Sequence, residues 1–189
     1  MTKPIPTQSV RDLIDAGYLV QPTFYCPPLP PADFDSHGID SIIVDRYRER
    51  CDGKKAIVFC VNQAHAQMTA ERFNAAGIAA ATILGTHTPR ERDEIEARFR
   101  RGDLQVLVSV TVLLDSRWPE VDAVIMADPT RSQTKFTQQV STALRPRHAA
   151  GMPTTTAEQR RASIAASGKP KAMILDVVGN CLRLGIDQF

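Results

Sequence analysis

The chain has 189 residues, a formal net charge of +2, and 43% hydrophobic and 23% charged residues. That length provides for one domain of generous size, and the balance excludes a fibre or a wholly disordered chain. Neither the charge nor the pI near 8.4 is enough by itself to argue for nucleic acid. Cys26, Cys51, Cys60 and Cys181 are far apart, and His37, His65, His87 and His148 are equally scattered. With no C-x-x-C and no histidine at ligand spacing, neither a zinc site nor a disulfide framework is expected. "MTKPIPTQSV" lacks an apolar signal core and no run approaches membrane-spanning length, so the expectation is a soluble, cytoplasmic protein without membrane contact.

Along the chain, "TQSVRDLIDAGYL" predicts a short amphipathic helix with Val10, Leu13 and Ile14 on one side. The prolines of "QPTFYCPPLPPADF" forbid regular helix and predict an extended, linker-like strap outside the core. "HGIDSIIVDRYRERCDG" returns to helix, with Ile39, Ile42, Ile43 and Tyr47 at helical spacing and Gly53 as a stop. From Lys55 a rhythm sets in. "KAIVFC" predicts a strand, and "NQAHAQMTAERFNAAG" a helix ending at Gly77. "AAATIL" predicts the next strand, followed by a helix opened by Thr88 as N-cap, Pro89 at its first position and Glu91 completing a capping box. Ile95 and Phe99 face inward, and Gly102 closes that helix. "LQVLVSV", "VDAVIMA" and "KAMILDVV" predict three more strands, apolar nearly throughout as strands covered on both faces are. Residues 147–170 have little apolar periodicity and read as a mobile basic insertion.

Alternating strands and helices imply an α/β fold of three layers, a parallel sheet with helices on both faces, whose ligands bind outside the carboxyl ends of the strands. Residues Val61 to Gln63, Gly85 to Thr88, Thr111 to Trp118 and Asp128 to Ser132 are therefore the ones to examine. No G-x-x-x-x-G-K-[ST] loop follows a strand and no acidic metal-holding pair ends one, so no nucleotide or metal cofactor is expected for this chain on its own. A nucleophile elbow is likewise missing.

The series from "KAIVFCVNQAHAQMTAERFNAAGIAAATILGTHTPRERDEIEARFRRGDLQVLVSV" through "VDAVIMADPTRSQTKFTQQV" and "LRP" to "KAMILDVVGNCLRLG" resembles the second RecA-like lobe of superfamily 2 DEAD/DEAH-type helicases, particularly the phage- and prophage-associated group. The resemblance divides the chain into residues 1–53, similar to an interlobe connector, and 54–189, the lobe itself with its insertion. It implies that the first lobe, bearing the P-loop, is not in this sequence. It also implies motifs V and VI, which in the family are T-x-G-[FW]-D-x-P and Q-x-x-G-R-x-x-R. Here "LLDSRWPEVD" places Asp115, Ser116 and Trp118 at motif V, with Ser116 for the glycine and Trp118 at the aspartate position. Gln138 and Arg145 keep the ends of motif VI, while Ser141 and Thr142 replace its Gly-Arg pair. A neutral threonine supplies no charge to a transferring phosphate, so loss of ATP hydrolysis is expected.

Two kinds of partner stay open at this point. By resemblance, Asn62, Gln63 and Thr111 would hold a DNA or RNA backbone, and Arg147, Arg160 and Arg161 add phosphate contacts from the basic tract. Asn62 and Gln63 also make a sensible helix start. The face that would have met the first lobe would otherwise dock a protein, either a helicase-containing complex or a second copy, with Trp118 as an anchor. A split two-chain helicase is the alternative, with the ATP-binding lobe on another polypeptide.

Overall fold

The computed structural model describes residues 9–26, 36–110, 120–186 and 189. Six parallel strands form one sheet in the order β1-β6-β5-β2-β4-β3. In chain order the elements are α1 (Val10–Asp15), β1 (Gln21–Tyr25), α2 (Ser36–Cys51), β2 (Ala56–Cys60), α3 (Gln63–Ala75), β3 (Ala80–Thr82), α4 (Pro89–Arg101), β4 (Val106–Ser109), β5 (Ala123–Ala127), α5 (Gln133–Ala143), α6 (Ala157–Ala165), β6 (Lys171–Asp176) and α7 (Asn180–Leu184).

Every residue of β2, β4 and β5 is buried, which is what their unbroken apolar runs require of strands with helices on both faces. α2 and α3 pack together on one face of the sheet and α5 covers β5 and β6 on the other; the right-handed rule for parallel crossovers places α4 on the α5 side. The start of α4 carries the expected capping box between Thr88 and Glu91 with Pro89 behind it, and Gly102 closes the helix in the left-handed conformation. Phe99 is the buried residue of this otherwise charged helix, and Ile95 is half-buried.

Two sequence expectations are corrected at the N-terminal side of the sheet. Residues 21–25 of the expected strap form the edge strand β1, paired in parallel with β6 from Gln21↔Lys171 to Tyr25↔Leu175. An edge strand tolerates Pro22, whose missing N–H would interrupt a central ladder, and this is why the proline signal did not exclude a strand. The tract 147–170, expected to be a mobile insertion, contains α6 with its own capping box between Thr156 and Gln159 and with Ser163 and Ile164 buried. Arg160 Nε donates to Ala16 O at 2.8 Å, Arg161 donates to Asp15 O, and the Arg160 guanidinium lies 4.1 Å over the Tyr18 ring. The two arginines thereby satisfy the carboxyl end of α1 and fix α6 against it.

Gly17 makes that approach possible. Its φ is +74°, and a Cβ there would stand 2.8 Å from Arg160 Cβ. Gly17→Ala is expected to cost about 1–3 kcal/mol, from left-handed backbone strain and the displaced α6 together. Urea unfolding measures it, and a loss no greater than that of an alanine on the exposed face of α4 would show that α1 and α6 do not depend on this contact.

Candidate nucleic-acid and nucleotide-facing site

The carboxyl ends of β2 and β5 lie side by side, and their following helices leave toward opposite faces of the sheet. Such a divergence opens a crevice. A cavity of about 440 Å³ occupies it, lined by Val61, Asn62, Ala64, His65, Met68, Ala127, Pro129 and Val178. Asn62 is the N-cap of α3, its Oδ1 accepting from His65 N at 2.9 Å, and Gln63 follows it, exposed, at the first helical position. The helix-start reading of Asn62 is thus realised, at the rim of the crevice. The Val61 N–H donates to His65 Nδ1 at 3.4 Å, which holds the buried imidazole under the loop.

Behind the crevice a polar network braces the ends of β5 and β6. Asn180, fully buried, accepts from Thr130 N at 2.9 Å and donates to Asp128 O at 3.1 Å. Arg183 donates to Asn180 Oδ1 at 2.8 Å, and Lys135 of α5 pairs with the carboxylate of Asp128. The sequence reading singled out Asp128 to Ser132 but missed Asn180. The available signal was an asparagine just beyond the end of an apolar strand, where a buried amide is needed to satisfy loop backbone.

The motif VI positions sit in the second half of α5 and just after it. Gln138 is exposed and Ser141 half-buried. Thr142, at the arginine position, is buried, and its hydroxyl donates back to Gln138 O at 3.1 Å. It presents neither charge nor a spare donor proton to a ligand. Arg145 lies beyond the last turn, and its carbonyl accepts from Lys169 Nζ at 2.7 Å. Thr111, Asp115, Ser116 and Trp118 lie outside the described residues.

The basic tract does not join this site. Arg147 pairs with Glu120 at 2.8 Å and reaches Asp122 at 3.3 Å, just before β5, at the amino ends of the strands. Arg160 and Arg161 face α1. Asn62 and Gln63 are therefore at one end of the sheet and the three arginines at the other, each engaged within the protein. Side-chain charge was legible in the sequence; its direction was not. Burial pushes the Cys51 thiol up to about 12 and raises that of Cys181 as well, which keeps both thiols protonated at neutral pH.

A parallel sheet in this strand order, with its crevice between β2 and β5, defines the RecA-like architecture of helicase C-terminal lobes. Residues 39–147 match the Helicase conserved C-terminal domain family, and the chain belongs to that family. A 51.5 kDa protein of a Lactococcus phage (isolate 7-9) is 30% identical over 107 residues, covering 56% of this chain and 24% of the phage protein. This chain thus spans about a quarter of that relative's length, and 16% of the length of a Saccharomyces cerevisiae relative assigned as the ATP-dependent helicase IRC3.

Among solved structures, a fragment assigned as the HsdR subunit of a type I restriction enzyme from Vibrio vulnificus YJ016 superposes with a TM-score of 0.71 at 21% identity. That match covers 99% of this chain and 38% of that one. The E. coli DEAD-box protein SrmB, solved bound to the regulator RraA, gives 0.59 at 19% identity over 88% of this chain and 84% of its own. The helicase MrfA bound to DNA gives 0.56 at 17% identity, over 82% and 20%. At these identities the superpositions show the fold. Among the described residues, no helix is long and apolar enough to cross a membrane.

Proposed function

We propose that this chain is a helicase C-terminal lobe that works by binding and not by hydrolysis, holding a nucleic-acid backbone at the carboxyl ends of its strands. The observation that carries the loss of hydrolysis is Thr142, buried and bonded to its own helix where the family has a phosphate-facing arginine. The binding half is supported by the exposed start of α3 at the crevice rim, with Asn62 and Gln63, and by the DNA-bound state of the MrfA relative. Thr111, outside the described residues, belongs to the same expected contact set. Arg147, Arg160 and Arg161 do not enter the reading, because each is engaged in internal contacts at the far end of the sheet.

Titration of the purified chain with fluorescent single-stranded DNA and RNA at low salt tests this, alongside ATP turnover. Binding is expected to weaken steeply as salt rises. Gln63→Glu, which a helix N-terminus accommodates without loss of stability, is expected to weaken binding roughly tenfold by repelling phosphate. ATP turnover by the chain alone would overturn the hydrolysis half. Absence of oligonucleotide binding at low salt would remove the nucleic-acid half and favour a protein partner docked on exposed Val61 and Leu182, which are 51% and 68% accessible.

A further inference from the structure

Cys26, Asp176 and Cys181 are distant in sequence, but the sheet brings them together. The β1–β6 register ends at Tyr25↔Leu175, so Cys26 continues opposite Asp176 just past the paired segment. The chain then turns through Val178 and Gly179 into α7, whose second residue is Cys181. Asp176 shapes that turn, with one carboxylate oxygen accepting from Val178 N at 3.3 Å and the other from Cys181 N at 2.5 Å. As a result the two sulfurs and a carboxylate oxygen all lie within 4.8 Å of one another. Asp176 is fully buried, and among the described residues no lysine, arginine or histidine pairs with it. The Cys181 thiol hydrogen-bonds to this carboxylate and to Cys26 as well, so the three side chains already touch one another around a buried charge that no ion pair neutralises.

We propose that Cys26, Asp176 and Cys181 form a binding site for a thiophilic divalent cation of the zinc class, clamping the edge strand β1 to the β6–α7 turn. Two sulfurs and one carboxylate oxygen are a donor set of zinc type, and three protein ligands leave a fourth position for water. Around such an ion the donor atoms stand about 3.5–3.8 Å apart, so the trio needs to contract by at most about 1 Å. Cys26, at the end of an edge strand and half-buried, is the ligand free to make that movement and the one through which an ion enters. On binding, both thiols give their protons to solvent, and the net charge of the cluster, one negative, is unchanged. The thiol–thiol distance in sequence hid this site from spacing rules, which look for paired cysteines a few residues apart.

The test uses the full chain, reduced with a phosphine, stripped with chelator and titrated with Co²⁺. Expected are one bound ion per chain, a thiolate-to-cobalt charge-transfer band, and displacement by one equivalent of Zn²⁺ with a rise in melting temperature. Cys26→Ser and Cys181→Ser are each expected to lower affinity more than tenfold and to remove most of the band, whereas Cys60→Ala retains it. Wild-type protein without a charge-transfer band overturns the proposal, as does a band that survives Cys26→Ser in protein whose circular dichroism is unchanged. A chain that forms a Cys26–Cys181 disulfide in air and binds no Co²⁺ after reduction also overturns it.

Discussion

Replacing Phe136 with alanine is expected to destabilise the protein by about 3–5 kcal/mol, the usual cost of emptying a buried aromatic site. Phe136 is fully buried on α5, and its ring lies 6.5 Å from that of Phe24 and 6.0 Å from that of Phe189. Phe24 and Phe189 are themselves 5.5 Å apart. The three rings join the edge strand β1, the helix bearing the motif VI positions and the last described residue. Each pair adds roughly 0.5–1.5 kcal/mol beyond the area it buries. Urea unfolding is expected to show a lowered midpoint with an unchanged slope, the signature of a pure stability loss. Phe136→Leu, which refills most of the volume, should recover more than half of the loss. A cost below about 1 kcal/mol for the alanine variant would mean that the rings do not tie these elements together.

The second large effect concerns Lys169. Its side chain is buried, with Nζ donating to Arg145 O at 2.7 Å, and desolvation lowers its pKa from 10.5 to about 8 against the opposing pull of Glu120 and Asp122. Arg147 and Arg145 add to the lowering. Between about pH 8 and 10.5 the unfolded chain holds more of this proton than the folded one, so this group's contribution to stability rises with pH across that window. The full gain is about 3 kcal/mol. Cys51 and Tyr47 act in the opposite sense, because burial raises both, and their contribution is lost as pH climbs past their unfolded values of 9.0 and 10.0. The measurement is therefore a difference: stability of wild type minus that of Lys169→Met, by urea unfolding, at steps from pH 7 to pH 10. This difference is expected to grow toward higher pH by a large part of that amount. A flat difference would show that Lys169 titrates normally in the folded protein.

What the sequence revealed follows from how local each signal is. The caps of α4, the continuous apolar runs of β2, β4 and β5 and the closing glycine at 102 are written within a few residues, and each is found where expected. β1 is five residues with a proline and carries no apolar run, because an edge strand needs neither an N–H on its open side nor burial on both faces. Its strand character comes from β6, at the other end of the chain. The basic tract shows the same limit. Six arginines and lysines between Arg145 and Lys171 look like a phosphate-binding surface in one dimension, yet Arg147 turns to acidic residues ahead of β5, and Arg160 and Arg161 turn to the end of α1. For the motif VI positions, residue identity foretold the missing charge, while the burial of Thr142 and its bond to Gln138 O needed the helix to be placed against the sheet.

The strand order has a consequence for how the chain is made. Among the described residues β1 has one neighbour in the sheet, and that neighbour is β6, the strand farthest from it in sequence. During synthesis β1 emerges before the other described strands and cannot take its place until β6 has been made, while β2 through β5 can close on one another earlier. The edge of β6 is thus sealed by a strand made long before it. Slow closure of so long a loop gives a newly made molecule a period in which that edge is bare.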